Sequence, residues 1–281
     1  MRIGYKSDPG KARELDEDCT AVVRIDALCE SQARIATLLI IADGIGGHNA
    51  GEVASRLTVK RMTEEISNLM LREISPDSPE YVKKSLEMII EDVNKYILQI
   101  VEKNPRYKGM GTTLTAALVQ GSSVYIGHVG DSRAYIVNEN RIEQITKDHS
   151  YVQELLDRNE ITPEQARGHS QKNLITRAIG LYRDVEVDVD RRYIFGDDYL
   201  LLCCDGLTDM VTDEEIYAVV LQNDDPQRIC DILVQEANQR GGLDNISVIV
   251  AQFDEIPRKG DETHVKRRVS DPRWNKNHSI M

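Results

Sequence analysis

Seven carboxylates stand beside glycines or at the ends of apolar runs: Glu17 and Asp18 in "ELDEDC", Asp43 in "ADGIGG", Asp131 in "VGDSR", Asp205 and Asp209 in "CCDGLTD", and Asp244 in "GGLDNIS". Taken singly, each is a turn residue, because Asp and Gly dominate turns for conformational reasons. Asp43 and Asp205 differ from the rest. Each follows a fully apolar run and precedes Gly, which brings a carboxylate to the mouth of a core rather than to a hairpin tip. Carboxylates converging there would repel by about 4 kcal/mol per pair at 4 Å and an effective dielectric near 20. Bound cations would make such a cluster tolerable. An all-oxygen ligand set points to Mg²⁺ or Mn²⁺ and away from zinc, which asks for His or Cys. Gly44, directly after Asp43, lets a backbone carbonyl approach a cation with no side chain in the way.

The stretch "ADGIGGH" is glycine-rich but is no phosphate cradle. It has neither the G-x-G-x-x-G of a dinucleotide loop nor the G-x-x-x-x-G-K-[ST] of a P-loop. Asp43 would also face the phosphate directly, so phosphate can be approached there only through metal.

The elements that must place these residues are legible in the hydrophobic pattern. "CTAVVRI" and "IATLLIIA", separated by the turn region "DALCESQA", predict an antiparallel hairpin ending at Asp43. Ala50, Val53, Ala54, Leu57, Met62, Ile66, Leu69 and Met70 recur at helical spacing, and so do Val82, Leu86, Ile89, Ile90, Val93, Ile97 and Ile100. These predict two long amphipathic helices on either side of the breaker "SPDSP". The short strands "TTLTAALV", "VYIGHV", "RAYIV" and "RIEQI" then read as one meander. Residues 150–182 are polar, with helix-and-loop character, and predict an excursion lying over the body. "VEVDV" and "DYLLLCC" read as strands, "DEEIYAVVLQ" and "PQRICDILVQEANQR" as helices, and "NISVIVAQF" as a last strand. This order does not alternate as repeated βαβ units would. It predicts an α+β fold of two stacked antiparallel sheets with helices outside.

Composition limits the function. With 41% hydrophobic and 29% charged residues over 281 positions, the chain is an ordinary globular protein, long enough to bury a substantial core. Its net charge of −12 argues against a nucleic-acid binder. From Pro257 onward seven Lys/Arg face three Asp/Glu, a local +4, so the first 256 residues carry −16. That basic tail, 257–281, lacks periodicity and is expected to be disordered, with "KRRVS" and Ser270 as a docking or modification point to set against a plain solvated end. No apolar run reaches the roughly eighteen residues of a membrane span, and the start "MRIGYKSDPGK" leads into no signal-peptide segment, so the cytoplasm is the expected compartment. The five cysteines form no C-x-x-C pair and read as reduced thiols.

Taken in order, "R-x-x-x-E-D" (Arg13, Glu17, Asp18), "ADG-x-GGH" (42–48), "GTT" (111–113), "GDSRAY" (130–135), "DG-x-x-D" (205–209) and "DN-x-S" (244–247) resemble the metal-dependent type 2C protein serine/threonine phosphatases in their compact prokaryotic form. The resemblance covers residues 1 to about 254, and six motifs in order make it specific. It implies a four-layer αββα sandwich, two antiparallel sheets flanked by helix pairs, with a binuclear Mg/Mn centre at one end and a flap at about 150–182. It implies that Asp43 bridges two metals, that Glu17, Asp18 and the Gly44 carbonyl complete one side, and that Asp205 and Asp244 hold the other. Asp131 and Asp209 would hold a third, weaker ion, and Arg13 the phosphate. The implied reaction is hydrolysis of phosphoserine or phosphothreonine in proteins by a metal-bridging hydroxide, without a phosphoenzyme. The implied partners are phosphoprotein substrates, a Ser/Thr kinase or its targets, and the chain reads as a monomer. Ile45 stands where many eukaryotic relatives place a histidine acid. His48 reads as a helix-start residue, and His128 and His149 as structural. Two other readings stay open: an inactive phosphatase-like binding module, which typically loses a metal-binding aspartate, and a small-molecule phosphohydrolase.

Overall fold

The computed structural model describes residues 1–29, 32–46, 50–71 and 78–253. His48, most of the "SPDSP" breaker and the tail with Ser270 lie outside the described residues.

Two five-stranded antiparallel sheets form the centre. One has the order β1 (Arg2–Asp8), β12 (Ile246–Gln252), β11 (Tyr199–Cys203), β8 (Arg133–Asn138), β9 (Arg141–Gln144). The other runs β10 (Asp188–Tyr193), β7 (Ser123–Val129), β6 (Leu114–Gln120), β3 (Gln32–Ala42), β2 (Cys19–Cys29). A two-stranded ribbon, β4 (Gly44–Ile45) with β5 (Gly111–Thr112), sits beyond the end of β3. Among the described residues no helix is long and apolar enough to cross a membrane.

The apolar runs become strands buried on both faces. In β3, Leu39 and Ile41 point between the sheets, while Leu38 and Ile40 point outward under α1 (Gly51–Leu71) and α2 (Pro79–Lys103). In β11, Leu200 and Leu202 point between the sheets. Leu201 and Cys203 pack outward against α6 (Asp213–Leu221) and α7 (Pro226–Gln239). The period of two thus divides each strand between two cores, which is why these strands read as continuous runs rather than as alternating ones. The helices supply matching stripes, Val82, Leu86, Ile90, Val93 and Ile97 in α2 and Ile229, Leu233 and Ala237 in α7, all fully buried. Their starts follow local chemistry: Pro79 and Pro226 open α2 and α7, and Thr212 with Glu215 forms a capping box on α6. The result is the expected four-layer αββα sandwich.

Four details depart from the sequence pattern. The predicted single meander is split: β6 and β7 belong to one sheet and β8 and β9 to the other, so the "GDS" turn is a crossover between sheets. The β2–β3 hairpin continues to Cys29 and from Gln32, through most of the residues expected to form its turn. The strand expected at "VEVDV" lies three residues later, at β10. β1 has no apolar signal, being an edge strand with most of its residues exposed or half-buried. Residues 150–182 form the expected polar excursion, with α3 (Tyr151–Asp157) and α4 (Pro163–Arg167). It is pinned where Thr176 N–H donates to the His149 carbonyl and Gly180 N–H to Asn94 Oδ1.

Candidate metal centre

Strand register brings the carboxylates together. Cys19, just after Asp18, pairs with Ala42, just before Asp43. Arg133, two residues after Asp131, pairs with Cys203, two before Asp205. Cys203 in turn pairs with Val248, and Ile246, two residues after Asp244, pairs with Asp8. All these strand ends therefore meet at one end of the sandwich. Asp209 follows the short helix α5 (Asp205–Thr208), and Glu17 lies one residue before the end of the β1–β2 connection, beside the start of α1.

Backbone tethers hold the ends. The Asp43 N–H donates to Thr113 Oγ1 (3.0 Å), and its carbonyl accepts from Thr113 N–H (2.8 Å) and Thr112 Oγ1 (2.7 Å). The Glu17 N–H donates to Asn245 Oδ1 (2.9 Å), and its carbonyl accepts from Ser55 Oγ (2.6 Å). Asn245 Nδ2 also donates to the carbonyls of Pro9 (3.1 Å) and Leu15 (2.9 Å), so one amide side chain fixes the loop carrying Arg13, Glu17 and Asp18. Two glycines allow the elements to close up. A Cβ on Gly44 would stand 2.4 Å from the Glu17 carbonyl oxygen, and one on Gly206 would stand 2.0 Å from that of Asn245. Because the obstacle at Gly206 is backbone, Gly206→Ala is expected to cost about 3 kcal/mol through overpacking. The melting temperature should then fall by roughly 6–12 °C in thermal denaturation.

Four of the carboxylate oxygens are buried and unpaired. Both oxygens of Asp18, Oδ1 of Asp131 and Oδ1 of Asp205 are shut off from solvent with no hydrogen-bond partner. Leaving such atoms unsatisfied is expensive unless something outside the protein pairs them. Burial pushes the Asp43 carboxyl well above its ordinary range, and the charges of Asp18, Asp205, Asp131 and Asp244 push the same way. Asp18, Asp131 and Asp205 are raised chiefly by burial, and Glu17 by burial and then by Glu52. Ligand atoms of Asp18, Asp43 and Cys204 lie within 4.8 Å of one another. Cys204 is nevertheless no ligand candidate. Burial first, then the surrounding carboxylates, raises its thiol well above the usual range, and Sγ donates to the Asn245 carbonyl while accepting from Ser247 N–H. The remaining set is oxygen-only, crowded and short of positive charge, and it fits hard divalent cations.

Two side-chain cations stand at the rim. Arg13 Nη2 is 2.8 Å from Asp244 Oδ2, and Lys172, from the 150–182 segment, is 2.6 Å from Asp209 Oδ2. Arg13, Glu17, Asp18, Asp43, Gly44, Asp131, Asp205, Asp209 and Asp244 thus lie at the same end of the sandwich. Asn245, Ser55 and Lys172 are additions. Asn245 lay inside the "DN-x-S" motif, while nothing in the sequence signals Lys172. A separate cavity of about 540 Å³, lined by His128, Gln144, Lys147, Asp188 and Asp190 among others, holds none of the site carboxylates. Its charged groups are paired within the protein, Lys147 with Asp157 and Asp188 with Arg177.

His128 is structural, as expected. It is buried, with Nδ1 2.9 Å from Thr115 Oγ1 and Nε2 3.1 Å from the Lys147 carbonyl, and burial lowers its pKa to about 4. In the unfolded chain the ring takes up a proton near pH 6.5, so the unfolded state binds more protons between about pH 6.5 and 4. Falling pH therefore removes stability in that window. Relative to His128→Asn, the wild type is expected to lose up to about 3 kcal/mol between pH 7 and 4 in denaturant titrations, with a flat difference above pH 7.

A four-layer sandwich with an oxygen-only acidic centre at its strand ends defines a protein built to work through hard divalent cations. The chain belongs to the protein phosphatase 2C family, whose sequence profile matches residues 23–223. It is 36% identical over 263 residues to the serine/threonine phosphatase stp of Listeria monocytogenes, a match spanning 92% of this chain and 98% of that protein. Among solved structures it is similar to the serine/threonine phosphatase Stp1 of Staphylococcus aureus, with a TM-score of 0.79 and 36% identity over 90% of this chain and 95% of that one. It is also similar to the catalytic domain of the phosphatase PstP in complex with two manganese ions, with a TM-score of 0.75 and 35% identity over 90% and 98% of the two chains.

Proposed function

We propose that this chain is a metal-dependent protein phosphatase hydrolysing phosphoserine and phosphothreonine in proteins. The observation that carries it is the set of buried, unpaired carboxylate oxygens at the meeting point of the strand ends, in a chain 36% identical to named serine/threonine phosphatases over most of its length. Asp43, Glu17, Asp18, the Gly44 carbonyl, Asp205 and Asp244 would hold two Mg²⁺ or Mn²⁺ ions, and Asp131 and Asp209 would hold a third more weakly. Cations held there supply Lewis-acid stabilisation of phosphate charge and a water acidic enough to act near neutral pH. Arg13, half-exposed at the rim, can leave Asp244 and grip two phosphate oxygens with its planar fork. Ile45 offers no proton to the leaving alkoxide.

The catalytic unit is assigned to residues 1–256, with a flap at about 150–182 and a basic tail at 257–281. Its partners are phosphoproteins, either a Ser/Thr kinase or its targets, and it acts as a monomer in the cytoplasm, where the thiols of Cys19, Cys203, Cys204 and Cys230 stay free. An inert binding module is disfavoured by the convergence of Asp43, Asp205 and Asp244.

Mn²⁺-dependent hydrolysis of p-nitrophenyl phosphate and of phosphoserine and phosphothreonine peptides, abolished by EDTA, is the expected result; full activity in EDTA would sink the proposal. Arg13→Ala should raise KM for a phosphopeptide by about tenfold with a smaller change in kcat, and an unchanged KM would remove Arg13 from phosphate binding.

A further inference from the structure

The turn Gly130–Asp131–Ser132 carries the chain from one sheet to the other and delivers the Asp131 carboxylate to the site. Two side groups outside the acidic cluster grip it. On one side, His149 brackets Gly130: its N–H donates to the Gly130 carbonyl (2.7 Å), and its ring Nδ1 accepts from the Gly130 N–H (3.0 Å). An accepting Nδ1 places the ring proton on Nε2, which lies 3.2 Å from Asp188 Oδ2 and 3.1 Å from Arg177 Nη1, itself paired with Asp188. The ring is buried and lies against His128, with centroids 4.8 Å apart, so it has little room to turn. On the other side, Ser132 Oγ is 2.7 Å from Thr113 Oγ1, and the Ser132 carbonyl accepts from Thr115 Oγ1 (3.0 Å). Thr113 is the residue that also holds the Asp43 backbone. Gly130 itself has φ +117°, and a Cβ there would meet Thr113 Cβ at 2.6 Å, so the turn is pressed against Thr113 with no slack.

We infer that His149 and Ser132 are positioning residues that set the Asp131 carboxylate for a divalent cation, His149 by holding both backbone groups of Gly130 and Ser132 by tying the turn to Thr113. The inference rests on the metal-centre assignment above. It follows from accounting for the turn's polar groups: the Asp131 carboxylate contributes no tether of its own through Oδ1, which is buried and unpartnered. Its position therefore comes from its two neighbours in sequence. Groups that orient a ligand in this way typically change metal affinity by about 10–100-fold when removed.

The test uses the full chain and Mn²⁺ alone, with bound ion counted from the paramagnetic resonance signal of free Mn²⁺ and folding followed by thermal denaturation. Wild type should show two tighter ions and a weaker third. His149→Ala should weaken the third by about tenfold or more while the tighter pair stays bound, and His149→Asn, whose Oδ1 can replace the Nδ1 acceptor, should return it to within about threefold of wild type. Ser132→Ala should weaken the third ion in the same direction, and it decides the matter if His149→Ala does not fold. Folded His149→Ala and Ser132→Ala proteins with wild-type affinity for the third ion would overturn the inference, as would a His149→Asn protein as weak as His149→Ala. Wild type binding no Mn²⁺ would instead overturn the metal-centre assignment itself.

Discussion

Asp43→Asn is expected to abolish turnover while making the metal-free protein more stable. Both effects have one cause. The Asp43 carboxyl is buried at the end of β3, with Asp18, Asp205, Asp131 and Asp244 all raising its pKa after burial itself. Each charged pair at about 4 Å costs about 4 kcal/mol at an effective dielectric of 20, so the metal-free centre stores repulsion that one neutral amide partly relieves. The side chain keeps its shape, and the N–H and carbonyl that bond to Thr113 and Thr112 belong to the backbone and are untouched. A gain of about 1–2 kcal/mol, or roughly 2–8 °C in melting temperature, is expected without metal. With Mn²⁺ the order reverses, because the variant lacks a carboxylate proposed to hold the cations. Losing several kcal/mol of charge stabilisation, at 1.36 kcal/mol per tenfold, lowers kcat/KM by about 10³-fold or more. A folded Asp43→Asn protein with wild-type turnover would refute the assignment of Asp43. A variant less stable than wild type in EDTA would refute the repulsion argument.

The parts of this molecule that were legible in its sequence are those decided locally. β3 and β11 announce themselves because both faces are buried, and α1 and α2 because one stripe is. Asp43 and Asp205 stand out because a carboxylate directly after such a strand has no reason to be there as a hairpin residue. The split between β7 and β8 was not legible. A three-residue "GDS" connection between two apolar strands has the same local pattern whether the second strand returns beside the first or crosses to a facing sheet, and only packing distinguishes them. β1 escaped because an edge strand needs little apolar surface, its stability coming from the ladder it makes with β12. Lys172 escaped for a related reason: its role depends on the topology setting Asp209 opposite it, and no spacing within the chain encodes that. Ser132 lay inside "GDSRAY", but its partner Thr113 is set by the same topology.

Divalent metal is expected to stabilise the protein far more than salt does. At a hundredfold excess over its Kd, each ion that binds only the folded state contributes about 2.7 kcal/mol, so two tight ions contribute about 5. For a chain of this size that corresponds to a rise of roughly 10–20 °C in melting temperature. The competing explanation is general: a chain of net charge −12 repels itself, and any added cation screens that repulsion. The two differ in form. Screening tracks ionic strength, does not saturate at low concentration, and is reproduced by NaCl. Site binding saturates at micromolar to millimolar ion, exceeds NaCl at matched ionic strength, and is reversed by EDTA. They differ also by position. Asp18→Asn removes one of many negative charges but turns one of the two unpaired Asp18 oxygens into an NH₂ that cannot ligate a cation, so screening predicts a nearly unchanged Mn²⁺ shift and site binding predicts a sharply reduced one. An Mn²⁺ shift matched by NaCl and retained in Asp18→Asn would mean that the buried carboxylates are not where the metal acts.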